Sequence, residues 1–347
     1  MPMVITGGRC DGGSNEREVV MNYRKLGRAD IEVSEVSFGC WTLGGLNWVN
    51  GQANGWADPD EDEVTEAIKV GLDAGVNHFD NADVYGNGRA ERMLARVLDR
   101  LGVDAKKVVI ASKVGHFPGT AENAYEPAHI RHQCEQSLIN LRRDAIDIYY
   151  FHHGNFGEND RYLDDAVATM NALVDEGKVR YVGLSAYSAD DFARLVPKVK
   201  PVCLQSSSNA FGDKYIRENS PTQKLMAEHD LVFVAFGPLS KGLLLDKYDA
   251  DNPPTFADGD HRARNPQFKA EALRELKPKL EKLKARFGAT TEDLAAMALG
   301  YVLAHPRVAC VIPGFRNAAQ AKCNTSAARR ALSAEDVAFI RETLGTA

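Results

Sequence analysis

The sequence predicts an α/β protein whose core is a (β/α)8 TIM barrel, with an N-terminal β-hairpin and a long loop/helix insertion between strands 7 and 8. Eight short apolar runs recur along the 347 residues, and helical periods separate them. The length also suits such a barrel, which typically takes about 250 residues plus insertions. Alternation of strand and helix is the pattern of a parallel sheet with helical crossovers, and eight repeats favour a closed barrel over an open sheet.

The N-terminal segment differs from the rest of the chain. Residues 1–20 are rich in glycine and polar side chains and show no hydrophobic period, so we expect a flexible extension. Residues 21–347 are expected to form one domain. It begins with two short runs, Tyr23–Gly27 and Ile31–Val33, around a polar turn, which predict a hairpin.

The eight apolar runs are the candidate barrel strands. Each is four to seven residues long and rich in branched aliphatic and aromatic residues. Length and flanking residues favour buried strands over pieces of buried helix. The predicted strands are Val33–Gly39, Val76–Asp80, Val108–Lys113, Ile146–His152, Val179–Ser185, Val202–Ser206, Leu231–Phe236 and Val308–Pro313.

Helix signals and one long interval complete the pattern. Asp58-Pro59 predicts a helix start, because proline is favoured at the first helical position. More than 70 residues separate the seventh and eighth runs, and they include the Pro- and Asp-rich stretch Asp249–Asn265 and a charged helix near Ala270–Arg286. A long loop without a period of its own is typical of a lid or a binding loop.

Composition argues against several classes of protein. A net charge of −6 is unlike the basic face of a nucleic-acid-binding protein. No apolar run approaches the roughly 18 residues of a membrane span, and no signal-peptide pattern opens the chain. The six cysteines lack the close spacing of a zinc or redox motif and indicate reduced thiols. We therefore expect a cytoplasmic protein without a nucleic-acid or membrane partner and without a metal site.

Polar residues end three neighbouring predicted strands. Asp80 ends the second, Lys113 the third and His152 the fourth, while Tyr85 lies on the loop after the second. The active site of a β/α barrel gathers at these carboxyl ends. Each residue alone could be structural, but the four together predict a catalytic site.

These four residue types suit acid catalysis by a tyrosine. A phenol has an ordinary pKa of about 10, and a neighbouring ammonium such as Lys113 is expected to lower it. Asp80 would hold the ammonium, and His152 would orient a substrate oxygen. This set suits protonation of an alkoxide formed when hydride reduces a carbonyl. The hydride must come from a cofactor, because no side chain donates one.

Six segments in this order resemble the signature of the aldo-keto reductase family. They are His78–Gly86, Ala111–Lys113, Asp147–His152, Gly183–Ser185, Pro238–Leu243 and Ile312–Arg316. The resemblance covers the chain from about Tyr23 to the C-terminus. It implies that Asp80, Tyr85, Lys113 and His152 form the catalytic tetrad, with Tyr85 as the acid, and that the substrate is a small carbonyl compound.

The resemblance also implies a site for NADP(H). Ser185 and Gln205 match positions that hold the nicotinamide carboxamide, and Phe236 matches an aromatic residue that stacks on the ring, although many relatives have Tyr there and Asn in place of Ala186. The other implied cofactor residues are Gly39, Trp41 and Asp80, then Gly237, Leu239 and Lys241 under the pyrophosphate, and Gly314, Arg316, Gln320 and Asn324 around the adenosine. Because a guanidinium suits a 2′-phosphate, Arg316 favours NADP(H).

Other functions remain open at this stage. One is an NAD-dependent sugar or alcohol dehydrogenase, and another is a non-enzymatic, cofactor-binding regulatory subunit of the same family. A nucleotide-binding glycine loop is not favoured, because Gly86–Glu91 lacks the third glycine. His152 and His153 do not predict a metal site, because successive strand residues point to opposite faces.

Substrate identity is not predicted by these motifs. The expected specificity loops are Trp41–Trp56, Gly115–Ala124, His153–Arg161 and the region after Leu243. The aromatic candidates for lining an apolar pocket in these loops are Trp41, Trp48, Trp56, Phe117 and Phe156.

Overall fold

Strands and helices alternate along the part of the chain that the computed structural model describes, residues 21–326 and 331–346. The extension predicted for residues 1–20 lies outside it. The strands are β1 (Tyr23–Lys25), β2 (Glu32–Ser34), β3 (Phe38–Gly39), β4 (Trp48–Val49), β5 (Gln52–Ala53), β6 (His78–Asp80), β7 (Val109–Val114), β8 (Ile146–Phe151), β9 (Val179–Ser185), β10 (Cys203–Ser207), β11 (Val232–Phe236) and β12 (Val308–Ile312). The helices are α1 (Glu61–Asp73), α2 (Arg89–Arg100), α3 (Pro127–Leu141), α4 (Leu163–Asp175), α5 (Ala189–Val199), α6 (Pro221–Glu228), α7 (Ala270–Phe287), α8 (Thr291–Leu303), α9 (Ala318–Ser326) and α10 (Ala334–Leu344).

Eight parallel strands form the predicted barrel. Their order is β3, β6, β7, β8, β9, β10, β11 and β12, so each strand lies beside the next along the chain. Parallel bridges from Val36 to Val311 and from Gly39 to Gly314 connect the first strand to the last. The fold class predicted from the sequence is confirmed.

The first predicted strand, Val33–Gly39, is divided between two elements. Its beginning belongs to β2 in the hairpin and its end to β3 in the barrel. The Ser37 hydroxyl donates a hydrogen bond to the Ser34 carbonyl at 2.7 Å, so the chain turns between the two strands. Such a turn is invisible to a pattern of apolar residues, and the prediction of one continuous strand was wrong.

The hairpin closes the amino-terminal end of the barrel. β1 and β2 pair in antiparallel fashion, and Leu26, Ile31 and Val33 are buried in one cluster with inward-facing barrel residues such as Tyr150. Gly27, in the turn, has a φ of +57°, and a Cβ there would meet the Val202 carbonyl oxygen at 2.4 Å. Glycine is therefore required both by the conformation and by the close approach.

Local signals fix where the helices begin. Asp60 caps α1 by accepting from the backbone N–H groups of Asp62 and Glu63. The helix therefore starts later than Asp58-Pro59 predicts, because the Asp58 carboxylate instead accepts from the Leu46 N–H. Among the described residues, no helix is long and apolar enough to cross a membrane.

The stretch between β11 and β12 contributes to the rim of the barrel. It holds α7, α8 and three short 3-10 turns. The Gly259 carbonyl accepts from the N–H groups of Asn47 and Gly55, and the His261 N–H donates to the Gly55 carbonyl. These bonds tie the loop after β11 to the loop after β3, so both cover the same side of the carboxyl-terminal end.

The packing of the hairpin into the end of the barrel leads to a prediction about stability. Leu26 is fully buried, so Leu26→Ala should lower the free energy of unfolding by about 2–4 kcal/mol through lost burial and the cavity left behind. Urea unfolding measures the change. Leu26→Met, which conserves volume, is the matched control and should cost less than about 1.5 kcal/mol. Equal stability of Leu26→Ala and wild type would show that the hairpin does not pack into the barrel.

Candidate active site

A cleft of about 1470 Å³ opens at the carboxyl-terminal end of the barrel. Its floor includes Asp80, Tyr85 and His152, and Lys113 lies buried beneath them. With the exception of Ser185, the residues predicted to bind a cofactor line this cleft: Gly39, Trp41, Asp80, Gln205, Phe236, Gly237, Leu239, Lys241, Gly314, Arg316, Gln320 and Asn324. The strand ends thus bring the predicted catalytic and cofactor residues to one place.

Lys113 connects an acid to a phenol at the base of the cleft. Its Nζ lies 2.5 Å from Asp80 Oδ2, 2.7 Å from the Asn81 carbonyl oxygen and 3.2 Å from the Tyr85 hydroxyl oxygen. An ammonium has three donors, so these three acceptors satisfy it completely. The Gln205 amide donates to Asp80 Oδ1 at 2.8 Å, which engages the second carboxylate oxygen. The side chains are held by contacts from β6, β7 and β10.

Burial controls the protonation of Tyr85. It raises the pKa of the phenol well above the ordinary value, and the Asp80 carboxylate acts in the same direction. The shift is therefore in the direction opposite to the lowering expected from Lys113, because burial and the Asp80 carboxylate are its largest causes. Burial also lowers the pKa of Lys113, while Asp80 opposes that change. Tyr85 is therefore a neutral phenol at physiological pH. Because Lys113 is the donor in its hydrogen bond with the phenol oxygen, the phenol proton is not used in that bond.

His152 lies beside the phenol as an uncharged imidazole. The two ring centroids are 6.0 Å apart, and the planes meet edge to face. Burial lowers the pKa of His152 well below the ordinary value, and nearby His116 and Lys113 act in the same direction. Its Nδ1 is buried without a hydrogen-bond partner in the described part of the chain. A neutral imidazole can donate to a substrate oxygen held near Tyr85.

His153 does not line the cleft, and because β8 ends at Phe151, the alternation of strand residues does not decide how His152 and His153 are directed. Its Nε2 contacts the Gly115 carbonyl oxygen at 2.9 Å, and its backbone N–H donates to the Tyr125 hydroxyl. Within residues 21–326 and 331–346, no group of three or more His, Cys, Asp or Glu side chains is arranged to hold a metal ion.

One buried polar atom lies without a partner at the end of β9, among the described residues. Ser185 pairs in register with Gln205 on the neighbouring strand, and both are buried. The Ser185 hydroxyl has no hydrogen-bond partner among the described residues. Phe236 lies across the cleft wall and is partly exposed. An unpartnered hydroxyl and a partly exposed phenyl face are both groups that a flat ring carrying a polar amide can use.

The other end of the cleft is suited to anionic groups. Ser240 and Lys241 have left-handed φ values of 47° and 57°, and the N–H groups of Ser240 and Gly242 close this turn by donating to the carbonyls of Gly237 and Leu239. Lys241, Lys247 and Arg316 line the cleft, and none has an ion-pair partner in the part of the chain the structure describes. Burial and the nearby Arg262 lower the pKa of both Lys247 and Arg316. An anionic ligand would relieve this crowding of positive charge.

The side chains of Gln320 and Asn324 form hydrogen bonds with the backbone of the preceding loop. The Arg316 N–H donates to the Gln320 side-chain oxygen at 2.9 Å, and the Asn324 amide donates to the Gly314 carbonyl at 3.1 Å. Both side chains therefore fix the backbone from which Arg316 projects, while still lining the cleft.

Several aromatic predictions for the substrate side were wrong. Phe156 is fully buried and stacks on Tyr125, 4.3 Å between ring centroids, so it belongs to the core. Trp48 is an exposed residue, and neither it nor Phe117 lines the cleft. Trp41 and Trp56 do line it.

The lining of the cleft also includes His116, Tyr187, His261 and Arg262, which were not singled out from the sequence, although all but Tyr187 fall in the expected specificity loops. They lie on loops without a hydrophobic period. For His116 and Tyr187 the available signal was their position shortly after β7 and β9, where β/α barrels place functional side chains, whereas His261 and Arg262 lie far along the stretch after β11.

Comparisons with known proteins agree with this architecture. The family model described as "Aldo/keto reductase family" matches residues 35–344. A Schizosaccharomyces pombe protein named "Aldo-keto reductase yakc [NADP(+)]" is 28% identical, covering 93% of this chain and 92% of that protein. An Arabidopsis thaliana protein named "Probable voltage-gated potassium channel subunit beta" is 29% identical over 88% of this chain and 91% of its own length. The solved structure of the glycerol dehydrogenase AKR11B4 from Gluconobacter oxydans superposes with a TM-score of 0.76 at 26% identity, covering 93% and 95% of the two chains.

Proposed function

The chain belongs to the aldo/keto reductase family of oxidoreductases, and from this premise we propose that it reduces an aldehyde or ketone to an alcohol with NADP(H). The observation that carries the proposal is the buried chain from Asp80 through Lys113 to Tyr85, which ends at the floor of the cleft. Burying charged groups beneath a cleft costs free energy, and such buried networks of charged groups concentrate at functional sites.

Tyr85 is the proposed general acid. Its phenol is protonated at physiological pH, and Lys113 donates to the phenol oxygen, so the phenol proton can pass to a substrate oxygen. As that proton leaves, the ammonium stabilises the developing phenolate. His152 donates a hydrogen bond that orients the same substrate oxygen. Asp80 acts through Lys113 by keeping the ammonium in position.

The cleft residues fit a nicotinamide dinucleotide. The unpartnered Ser185 hydroxyl and Gln205 would hold the carboxamide, and Phe236 would stack on the ring. The turn after Gly237 and the side chain of Lys241 would bind the pyrophosphate. When bound, this cofactor supplies the hydride for carbonyl reduction.

Arg316 supports a preference for NADP(H) over NAD(H). The guanidinium lines the cleft, and Gln320 fixes its backbone. Paired, charge-assisted hydrogen bonds from a guanidinium suit the 2′-phosphate that distinguishes the two cofactors. The similar yeast protein named for NADP(+) agrees with this choice. A cytoplasmic location is also proposed, because buried free thiols such as Cys40 and Cys203 are typical of a reducing compartment.

A regulatory role is the alternative raised by the similar proteins named as potassium channel β subunits. The connected Asp80–Lys113–Tyr85 chain favours turnover, since cofactor binding alone does not need an acid at the cleft floor. Oxidation of NADPH in the presence of a panel of aromatic and aliphatic aldehydes separates the two roles.

Removing the acid tests the mechanism. Tyr85→Phe keeps the ring but removes the proton, so kcat should fall by at least about a hundred-fold, the usual contribution of a general acid. The dissociation constant of NADPH, followed by fluorescence, should change by less than about three-fold, since only the hydroxyl is lost. Lys113→Met should reduce kcat similarly.

Two results would contradict this mechanism. Near-normal kcat in Tyr85→Phe would exclude the phenol as the acid. A large loss of NADPH affinity together with unchanged kcat would assign the phenol to cofactor binding.

Arg316→Ala tests cofactor preference. A charge-assisted hydrogen bond contributes roughly 1.5–3 kcal/mol, so the KM for NADPH should rise by about ten- to a hundred-fold, while that for NADH should barely change. Lys322→Ala, an exposed cation on α9, is the matched control and should alter neither value. Equal losses with both cofactors would assign Arg316 to the shared pyrophosphate, and wild-type preference for NADH would overturn the assignment.

A further inference from the structure

We propose that His116 and Tyr187 form a hydroxyl-binding pair and that the substrate carries a hydroxyl group on the carbon next to its carbonyl. This inference rests on the proposed function, because it names the class of carbonyl that the same site reduces. Neither residue belongs to the predicted tetrad or to the predicted cofactor residues.

The pair lies directly beside the proposed catalytic centre. His116 follows β7 and Tyr187 follows β9, so they flank His152 at the end of β8. His116 Nε2 is 3.0 Å from the Tyr187 hydroxyl oxygen, and the His116 ring centroid is 4.4 Å from that of His152. Tyr85, His152, His116 and Tyr187 thus form a row in which each ring lies beside the next, and all four line the cleft.

The position of this row determines which part of a substrate it meets. A carbonyl oxygen between Tyr85 and His152 leaves the substituents on the neighbouring carbon close to the next ring of the row. That ring is His116, which is bonded to Tyr187. A substituent on the adjacent carbon therefore contacts the polar atoms of His116 and Tyr187 rather than an aliphatic side chain.

The protonation of the pair favours a neutral polar group. Burial, aided by the charges of His153 and Lys113, lowers the pKa of His116 to about 4, so the imidazole is uncharged at physiological pH. A neutral imidazole has one donor and one acceptor nitrogen, and a phenol can both donate and accept. A hydroxyl group complements both functions. A carboxylate would meet no cation in the pair itself.

The pair is also held in place before any ligand binds. The Tyr215 hydroxyl donates to the Tyr187 carbonyl oxygen, which fixes the backbone, while the Tyr187 side chain remains about half exposed, at 50%. Trp41 stacks against Tyr85 with 6.0 Å between ring centroids, and its ring lies 4.4 Å from the tilted ring of His261. A small substrate near Tyr85 would thus meet aromatic faces as well as the polar atoms of the pair.

An alkyl group in the same place would bind less well. It would remove His116 and Tyr187 from water without replacing the lost hydrogen bonds, and sites that hydrogen-bond a substrate hydroxyl discriminate against analogues that lack it. Because Tyr187 is half exposed, we expect a modest preference of at least about ten-fold rather than the larger values of closed sites.

Matched substrates measure this preference. Hydroxyacetone and butanone differ by a hydroxyl in place of a methyl group, as do lactaldehyde and 2-methylpropanal. With NADPH as reductant, the ratio of kcat/KM within each pair should favour the hydroxylated compound by about ten-fold or more. Tyr187→Phe and His116→Phe should each lower that ratio by about five-fold or more. Intrinsic reactivity of the carbonyls cancels between variants, so the change reports on the protein.

Tyr23→Phe is the matched control. Tyr23 is as exposed as Tyr187, at 47%, and its hydroxyl donates to the Gly75 carbonyl near the hairpin, far from the cleft. Its ratio should equal the wild-type ratio. If Tyr187→Phe does not fold, the His116→Phe ratio and the wild-type ratio still decide the proposal.

The possible outcomes separate this inference from the proposed function. Reduction of all four compounds with a wild-type ratio near one would overturn the hydroxyl site and leave the reductase proposal intact. A ten-fold ratio that persists in both variants would likewise overturn the assignment to His116 and Tyr187. Absence of turnover with every carbonyl would contradict both proposals.

Discussion

The buried ion pair between Lys113 and Asp80 is the interaction on which the site depends. Lys113 is inaccessible to solvent and Asp80 is 2% exposed. A charge left unpaired at such a position would cost several kcal/mol, so neither residue tolerates loss of the other. The parallel register sets the distance between them. Asp80 pairs with Ala111, and Lys113 lies two residues further along β7 on the same face. The register of these two strands therefore places the Lys113 ammonium within hydrogen-bonding distance of the Tyr85 hydroxyl.

The same period of two residues divides the barrel interior into an apolar layer and a reactive one. Ala111, Tyr150, Cys203 and Val234 are buried in one cluster with the hairpin. Two residues further along the same strands come Lys113, His152, Gln205 and Phe236, which build the cleft and its base. The hairpin packs apolar side chains such as Leu26 and Val33 into the amino-terminal end, while the residues of the proposed active site lie at the opposite end. The residues that pack the core and the residues of the proposed active site thus lie in successive layers of one barrel.

This layering explains what could be predicted from the sequence. Apolar runs ending in Asp80, Lys113 and His152 specify both the strands and the rim, because strand ends in a barrel face one another. His116 falls in an expected specificity loop, but its pairing with Tyr187 was not predicted, since loop residues follow no period and meet only after the barrel closes. The pKa of Tyr85 was predicted in the wrong direction for a related reason. Its value depends on burial and on the nearby Asp80 carboxylate, which a pattern along the chain does not report.

The protonation state of Tyr85 tests the central claim most directly. Carbon-13 labelling of tyrosine Cζ allows each phenol to be titrated by NMR, and the spectrum of Tyr85→Phe assigns the resonance. Because burial and Asp80 raise the pKa, Tyr85 should remain a phenol from neutral pH to beyond the ordinary value of about 10. A phenolate at neutral pH would contradict the account, because the site would then lack the proton that carbonyl reduction requires.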